Sequence, residues 1–468
     1  MNKLYIQTQQ EILDAPWFSY TLNLLSSLAG LVSLPEAGTD SAPAADMPTL
    51  YYGVTPPDGA HPLLMPSKPS IGRAKTTLHQ LDCAQAGLVQ VPIYSDTMDD
   101  CTGGIDLLFN LFAYVSCLEE YEHEIQHGPI HSYAFRLKSD HTQFKRPFAH
   151  YIGLAFRTLI EGYHPQCLAP LQLQSTIYLT HDVDVIQKTM RTRLKESVFR
   201  IYANIRSASF APKWVLQMLL GADDYFLCDK IAQLEEHHGV RSCFNVYAKP
   251  RPNNIFKRFR ALIFDPSYDI ENEDRLIKVM RDLNGRGFEI GIHFAFDSWN
   301  NPQRMMDEKK RLEACLNIPS LGSCRQHWLR FSLGDTWAAQ EKSGIQIDTT
   351  LCFNDVSGFR AGMAIPFYPY DHESQCAHSI LAVPTIAMDT HFFYYKSTSQ
   401  DHRREKIRQL VIDVKTVGGA AAMIWHSHVF SHDHGWGNDY EFLLSLMREL
   451  NVKSGLPSQS LVQKKHPL

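Results

Sequence analysis

The chain has 468 residues, of which 44% are hydrophobic and 20% are charged, as is typical of a globular protein with two or three domains. A formal net charge of −5 gives no general electrostatic reason for nucleic-acid binding, so we expect no nucleic-acid partner. The N-terminus lacks a secretory signal, the stretch from Trp17 to Leu34 is too polar for a membrane span, and ten cysteines occur without a CxxC pair. We therefore expect a cytoplasmic protein with reduced thiols and no transmembrane segment.

Residues 1–150 are predicted to form a smaller N-terminal α/β domain. A helix-like start is followed by a Pro/Gly/Ala-rich loop from Pro35 to Pro48, a strand candidate at Thr49–Val54 and an amphipathic helix at Asp106–Leu118. This region contains no catalytic constellation, and the sequence does not define its role. Residues 151–173 are predicted to be a linker.

From about residue 174, apolar strand candidates alternate with helix candidates. The strand candidates are Thr176–Thr180, Ser242–Tyr247, Phe288–Ile292, Ile345–Ile347, Ile380–Val383 and Ala421–Trp425. The helix candidates are Tyr225–His237, Glu273–Asn284, Arg304–Leu316 and Trp337–Lys342. This alternation predicts parallel β/α units, so we expect residues 174–468 to form a (β/α) barrel catalytic domain of the α/β class. In such folds the active site lies at the carboxyl ends of the strands.

The segment from Lys188 to Lys213 interrupts this alternation with basic residues among apolar ones. One hypothesis is a basic amphipathic helix that contacts an anionic substrate or a membrane surface. The alternative, an ordinary solvated helix face, is the more common origin of such a pattern.

Asp182 and Asp184 follow the apolar run from Ile177 to Leu179, at the tip of the first barrel strand. The chain turns at a strand tip, so both carboxylates can reach one site, where one could ligate a cation while the other acts as a base. An isolated Asp-x-Asp is more often an ordinary acidic turn. Here the pair gains weight because further polar clusters follow in a consistent order.

Two of these clusters contain candidate metal ligands. His293 ends a strand in the same pattern as the acidic pair, which favours a ligand role, and Asp297 four residues later could return to the same cation. In the next cluster Arg325 could pair with a carboxylate and keep it ionised, and His327 is a further candidate ligand.

The last two clusters supply an arginine and an imidazole. Arg360 stands between two nearby glycines, a pattern that suggests a tight loop presenting a guanidinium. His426 ends the last predicted strand and suits general acid chemistry, because the reference pKa of imidazole lies near neutrality. The nearby His432 and His434 lack Cys or Glu partners at ligand spacing, which disfavours a second metal.

Together these residues indicate metal-assisted hydrolysis of an amide or ester. Asp182 would take a proton from water activated by the cation, and His426 would protonate the leaving amine. The sequence has no GxSxG-type nucleophile elbow, which makes a covalent acyl-enzyme less favoured.

The order of these motifs resembles that of the NodB-type polysaccharide deacetylases, a carbohydrate esterase family with a distorted (β/α) barrel. The resemblance covers about residues 174–450 and is carried by Thr180–Asp184, Glu289–His293, Arg325, Gly344–Asp348 and Ile424–His426. It implies that Asp182 is the base, that Asp184 and His293 bind the metal, that Arg325 pairs with the base and that His426 is the acid.

A narrower resemblance points to a bacterial subgroup that has an extra N-terminal domain and is associated with surface-polysaccharide biosynthesis. It is carried by Leu118–Glu122, Arg325–Arg330 and Gly358–Gly362. One departure matters: the family's second motif normally has another His four residues after the first, and this chain has Asp297 there. Asp297, His327 and His181 are the candidates for the third ligand of a divalent metal ion, which we expect to be zinc.

The resemblance implies a metal-dependent N-deacetylase that acts on an amino sugar or a polysaccharide precursor. The substrate would be a nucleotide-linked sugar, a lipid-linked intermediate or an oligosaccharide precursor. His181, Trp328 and Arg360 are the candidate substrate contacts. Two alternatives stay open: an amidohydrolase for a cyclic amide or ureide on the same barrel, and an inactive carbohydrate-binding or scaffold protein. The sequence does not indicate the oligomeric state.

Overall fold

The computed structural model of the chain describes residues 3–40, 47–53, 62–64, 75–95, 105–129, 141–171, 174–190, 192–194, 197, 220, 224–250, 265–266, 268–393 and 399–463. The predicted basic helix at Lys188–Lys213 lies almost wholly outside these residues. Within them, no helix combines the length and the apolarity that crossing a bilayer requires. The described cysteines are free thiols, and all but Cys315 and Cys376 are buried.

Among its described residues, the N-terminal region contains one parallel sheet and one hairpin. The sheet strands are β1 (Tyr5–Thr8), β2 (Glu36–Gly38), β3 (Thr49–Tyr52) and β4 (Pro62–Leu64), in the spatial order β2-β1-β3-β4. The hairpin strands are β5 (Lys75–Cys83) and β6 (Gly87–Ser95), which pair antiparallel. Strand β3 matches the strand predicted at Thr49–Val54 within the described residues, whereas β2 lies in the stretch predicted to be a loop.

Five α-helices in the described part of this region accompany these strands. They are α1 (Gln10–Leu13), α2 (Pro16–Ala29), α3 (Leu107–Val115), α4 (Leu118–His127) and α5 (Phe148–Tyr163). The sequence predicts an amphipathic helix at α3, but all nine of its residues are buried. Apart from Tyr114, its one polar residue is Asn110. The side-chain amide of Asn110 accepts from the backbone N–H of Tyr94 at 2.7 Å and donates to the backbone carbonyl of Tyr94 at 3.1 Å, so its burial is satisfied.

Helix α5 occupies much of the range that the sequence analysis assigns to a linker. It extends to Tyr163, and most of its residues are buried. The apolar residues of α5 pack into the core. The core of the N-terminal region is continuous with that of the following region. Phe112 of α3, for example, lies edge-on to Tyr370, with ring centroids 5.1 Å apart.

The second region is built on a parallel half-barrel of eight strands, consistent with the expected (β/α) barrel type. The strands are β7 (Thr176–Val183), β8 (Cys243–Tyr247), β9 (Glu289–Phe294), β10 (Ser323–Gln326), β11 (Ile347–Asp348), β14 (Leu381–Ala382), β15 (Thr385–Met388) and β16 (Ala420–Ile424). Their spatial order is β14-β11-β10-β9-β8-β7-β16-β15. Three more strands in this region are β12 (Tyr370–Asp371) and β13 (Cys376–Ala377), which form a hairpin, and β17 (Lys453–Gly455), which pairs with β7.

Helices connect the barrel strands. They are α6 (Cys228–His237), α7 (Asp274–Gly285), α8 (Pro302–Leu316), α9 (Thr336–Lys342), α10 (Asp389–Phe393), α11 (Gln400–Thr416), α12 (Gly437–Glu449) and α13 (Gln459–Gln463). The sequence analysis does not predict β10 and β15. Strand β10 is short and reads Ser-Cys-Arg-Gln, so it has no apolar run to reveal it.

Candidate active site

Asp182 lies at the carboxyl end of β7 in a buried ion pair. Its Oδ1 accepts hydrogen bonds from Nη1 of Arg325 at 2.8 Å and from Nδ2 of Asn245 at 2.9 Å. Arg325 is itself fully buried, and its Nη1 and Nε also bond Thr180 and the carbonyl of Thr349. Strands β8 and β10 thus hold the carboxylate of Asp182 in one orientation.

The charge partners keep Asp182 ionised. Burial raises the pKa of this carboxyl, but the positive charges of Arg325, His293 and His426 outweigh burial and lower the pKa to about 2. A carboxylate that is ionised at neutral pH and has one oxygen occupied by donors can use its other oxygen to accept a proton. That oxygen, Oδ2, lies 4.0 Å from Nε2 of His293.

Asp184 lies between two imidazoles. Its Oδ1 is 3.2 Å from Nε2 of His293, and its Oδ2 is 3.5 Å from Nε2 of His327. The sequence analysis attributes the meeting of the two aspartates to a turn of the chain at the strand tip. Asp182 lies in β7 and Asp184 directly follows the strand. Residues two apart on an extended chain lie on the same side, so both carboxylates face one site without a turn between them.

The group Asp184, His293 and His327 fits a divalent metal. One ligand atom from each lies within 4.8 Å of the others, and it is the one such group among the described residues. Zinc bonds of about 2.0–2.2 Å in a tetrahedron place neighbouring ligand atoms about 3.4 Å apart. The carboxylate oxygens of Asp184 lie 3.2 Å and 3.5 Å from the two imidazole nitrogens. Oδ1 of Asp184 and Nε2 of His293 are buried and face each other at 3.2 Å, with no further hydrogen-bond partner among the described residues, a geometry that a cation between them would satisfy.

Outer contacts orient both imidazoles. Nδ1 of His293 donates to the backbone carbonyl of Arg325 at 3.1 Å, which leaves Nε2 as the ligating nitrogen. Nδ1 of His327 lies 3.9 Å from the carboxylate of Asp265. Although burial lowers the pKa of His327, Asp184 and Asp265 outweigh burial and raise it. A bound cation would replace the proton of His327, so metal binding at this site releases protons.

His426 follows β16 and also lies close to Asp184. Its Nε2 lies 3.6 Å from Oδ2 of Asp184, and its Nδ1 donates to the buried carboxylate of Asp389 at 3.0 Å. Burial lowers the pKa of His426, but Asp389 first, then Asp184 and Asp182, raise it to about 10. His426 is therefore protonated at neutral pH and can donate a proton from Nε2.

The other predicted site residues have different surroundings. Oδ1 of Asp297 accepts from Arg330 at 3.3 Å, and Asp297 is not part of the candidate metal group. His181 is fully buried, and its two nitrogens bond the carbonyl of Trp425 and the carboxylate of Glu235. The ring nitrogens of His181 are therefore already used within the fold.

Arg360 and Trp328 differ in exposure. The sequence predicts that Arg360 presents its guanidinium to a substrate, but it is buried and forms a bidentate pair with Glu120 of α4, with Nε 3.0 Å from Oε2. The guanidinium of Arg360 is therefore already paired with a carboxylate of α4. Trp328 is 37% exposed and directly follows His327, so part of its ring is accessible to a ligand.

The sequence analysis missed Asn245, Asp265 and Asp389. Asn245 is a polar residue inside the apolar strand β8, and Asp389 directly follows β15. A polar residue within or directly after an apolar strand is the same feature that identified Asp182 and His293. Asp265 lies in a Pro-containing stretch between elements, where no periodicity distinguishes it.

Together these contacts form a site that can move protons around a cation. One carboxylate is ionised and oriented, one imidazole is protonated and oriented, and three potential ligands lie between them. This arrangement can activate a water molecule and protonate a leaving group.

Comparison with known proteins gives limited structural likeness. No protein-family model matches the chain, and no curated protein matches it significantly. Solved structures that resemble it include a protein from Mycobacterium smegmatis assigned as a polysaccharide deacetylase, with 11% identity, a TM-score of 0.40 and coverage of 63% of this chain and 92% of that one.

Two further likenesses are of similar strength. Agd3, described as a carbohydrate deacetylase, has 10% identity, a TM-score of 0.35 and coverage of 98% of this chain and 86% of that one. A GH57-type branching enzyme from Pyrococcus horikoshii has 10% identity, a TM-score of 0.31 and coverage of 61% and 70%. TM-scores below 0.5 carry no functional inference, whereas the site geometry of this chain does.

Proposed function

We propose that the chain is a metal-dependent hydrolase that removes an N-acetyl group from an amino sugar or a polysaccharide precursor. The observation that carries the proposal is the group Asp184, His293 and His327, with ligand atoms within 4.8 Å of one another, flanked by Asp182 and His426. The low pKa of Asp182 and the high pKa of His426 support the assignment of base and acid.

Asp184, His293 and His327 would hold a divalent metal, with zinc as the expected ion because two imidazoles and a carboxylate are ligands that catalytic zinc uses. When bound there, such an ion supplies a polarised substrate carbonyl and a water of lowered pKa. Three protein ligands leave coordination positions for water and substrate. In this proposal Asp297 and His181 are not ligands, because their polar atoms bond other residues.

Asp182 and His426 would each carry out one of the two proton transfers. Asp182 accepts the proton of the attacking water on the oxygen that Arg325 and Asn245 do not occupy. His426 gives its Nε2 proton to the leaving amine, and Asp389 stabilises the imidazolium until that transfer. Each transfer uses a group that carries the required charge at neutral pH.

Trp328 supports a sugar substrate. Its indole is partly exposed beside His327, and aromatic faces commonly pack on sugar rings. The acyl carbon would then lie near Asp184 while the sugar ring lies toward Trp328. We expect Trp328→Ala to raise KM more than it lowers kcat, because this contact forms in the ground state as well as in the transition state.

The test is acetate release from N-acetylated sugars that are free, oligomeric, nucleotide-linked or lipid-linked, together with metal analysis of the purified protein. We expect one equivalent of metal, loss of activity on chelation and recovery with Zn²⁺. Asp182→Asn should lower kcat at least about 100-fold while the metal content stays unchanged.

His293→Ala and His327→Ala should each lose metal, and Asp297→Asn, the matched carboxylate control, should retain it. If Asp297→Asn loses the metal and His327→Ala retains all of it, Asp297 would replace His327 in the proposed ligand set. A metal-loaded protein that releases acetate from none of these sugars but hydrolyses a cyclic amide would replace the proposed substrate.

A further inference from the structure

The loop at residues 327–334, called here the His327 loop, has an unfavourable backbone. Trp328 and Leu329 have φ angles of +60° and +49°, a left-handed conformation that residues with side chains rarely adopt. These two residues directly follow His327 and precede α9. A strained backbone of this kind persists only where surrounding contacts determine it, and such segments concentrate at functional sites.

The far end of the His327 loop is held by a residue from the N-terminal region. Glu124 of α4 is buried, and its carboxylate accepts hydrogen bonds from the hydroxyl of Ser332 and from the backbone amides of Leu333 and Gly334, the latter two at 3.1 Å and 3.3 Å. One carboxylate therefore satisfies three donors on three consecutive residues. Its sequence separation from Ser332 is 208 residues, so this is a tertiary contact.

A second carboxylate one turn earlier on α4 supports the same loop indirectly. Glu120 binds Arg360, and the guanidinium of Arg360 lies 5.4 Å from the ring centroid of Phe331, within the His327 loop. Residues four apart on a helix lie on the same face, so Glu120 and Glu124 present one surface of α4 to this loop. Glu120 and Glu124 thus connect α4, directly and through Arg360, to the loop that carries a candidate metal ligand.

We propose that Glu124 is a positioning residue for metal binding: it fixes the His327 loop in the left-handed conformation that directs His327 toward Asp184 and His293. This inference rests on the proposed function, because it takes His327 as a metal ligand. It assigns the N-terminal region a role in the site, since α4 supplies the anchor of a loop that carries a ligand and Trp328. The carboxylate touches neither metal nor substrate.

Zinc affinity of the apoprotein tests this directly. Chelator competition with Zn²⁺ alone is measured on the full chain for the parent, Glu124→Gln, His327→Ala and the double variant. In Glu124→Gln an amide NH₂ stands where one carboxylate oxygen accepts from the loop, so the loop loses an anchor at constant side-chain size. We expect about tenfold weaker zinc binding, the range found when outer contacts of a ligand are removed.

The double variant separates positioning from general destabilisation. If Glu124 acts through His327, Glu124→Gln should change zinc affinity less than about twofold once His327 is replaced by alanine. Equal losses in both backgrounds would overturn the proposal. Glu122→Gln is the matched control, because it makes the same substitution on the same helix at a residue outside the pair that faces the His327 loop, and it should leave the affinity unchanged.

The same measurements distinguish failure of this inference from failure of the proposed function. Full zinc affinity in His327→Ala would remove the ligand assignment itself. Weak zinc binding in His327→Ala with parental affinity in Glu124→Gln would remove the positioning role alone. If Glu124→Gln does not fold, Ser332→Ala removes one of the three donors at lower structural cost, and a loss that depends on His327 is again expected. Parental affinity in Ser332→Ala would then overturn the proposal.

Discussion

Nδ1 of His426 and the carboxylate of Asp389 are joined by a hydrogen bond of 3.0 Å, and the same carboxylate accepts from the backbone amide of His426. Asp389 therefore fixes both the ring and the backbone of the proposed acid. Because Asp389 is fully buried, its negative charge acts on the imidazole with little screening by water.

Asp389→Asn should move the basic limb of the kcat/KM pH profile to lower pH. The acid form of His426 is the active form, so activity falls as pH rises through its pKa of about 10. Without the carboxylate, burial lowers this pKa, and a displacement of about 1 to 3 units is expected. The measurement is kcat/KM from pH 6 to 11 with a soluble N-acetylated sugar. A basic limb that does not move would show that another group is the acid.

Arg325→Gln should move the acidic limb of the same profile to higher pH. The guanidinium is the largest influence that lowers the pKa of Asp182, and burial opposes it. Its removal should raise the pKa of Asp182 by about 1 to 3 units, so activity is lost at a higher pH as the solution is acidified. An unchanged acidic limb, with zinc content preserved, would contradict the pairing of Arg325 with the base.

Arg360 and Glu120 should affect stability and leave KM unchanged. Both are buried, so either Arg360→Met or Glu120→Gln strands one charge and should cost about 3–5 kcal/mol of unfolding free energy. The double variant should cost less than the sum of the two single changes. Urea unfolding measures this, with Glu449→Gln, which breaks an exposed pair with Arg408, as a near-neutral control. A selective rise in KM for Arg360→Met would restore its assignment as a substrate contact.

Glu308 should make the protein less stable as pH rises from about 4.5 to about 7. Burial raises its pKa to about 7, although the amide of Ala295 and the hydroxyl of Ser298 donate to it. A raised carboxyl pKa means that the folded state binds more protons than the unfolded state in this interval. The associated stability is complete below about pH 4.5 and is lost as pH rises through about 7, by about 3 kcal/mol.

Glu308→Gln should remove this dependence. The amide oxygen can still accept from Ala295, and the hydroxyl of Ser298 can reverse its role and accept from the amide nitrogen. The difference in unfolding free energy between variant and parent, measured by urea at pH 5 and pH 8, should therefore favour the variant at pH 8. A constant difference across this range would show that Glu308 is ionised in the folded protein throughout.

The polar residues at strand ends were the part of the site that the sequence could predict. Asp182, Asp184, His293 and His426 each follow an apolar run, and parallel strands bring their carboxyl ends to one edge. Asp389 follows the same rule, but β15 begins two residues after the predicted strand Ile380–Val383 and was not recognised as a separate strand. The hydrophobic period and composition of the flanking strand are enough to predict such positions, because the direction of each side chain depends on only a few neighbouring residues.

The identity of a third ligand could not be chosen in that way. Asp297 and His327 were both candidates, and the choice depends on where two loops lie after the barrel has formed. Arg330, from the loop that carries His327, donates to Asp297, whereas Nε2 of His327 lies 3.5 Å from Asp184. Spacing along one segment does not contain this information.

The sequence by itself determined the half-barrel and the sheet edge at which the candidate site lies. The reason is that the hydrophobic pattern of each strand, and the order of the strands along the chain, can be recognised from neighbouring residues. Only the tertiary structure decided which polar groups serve the site and which serve the fold. Arg360 is neutralised by Glu120, 240 residues away, and the His327 loop is anchored by Glu124. A charged side chain pairs with an oppositely charged group that folding brings close to it. The residues next to it in the sequence do not identify that group.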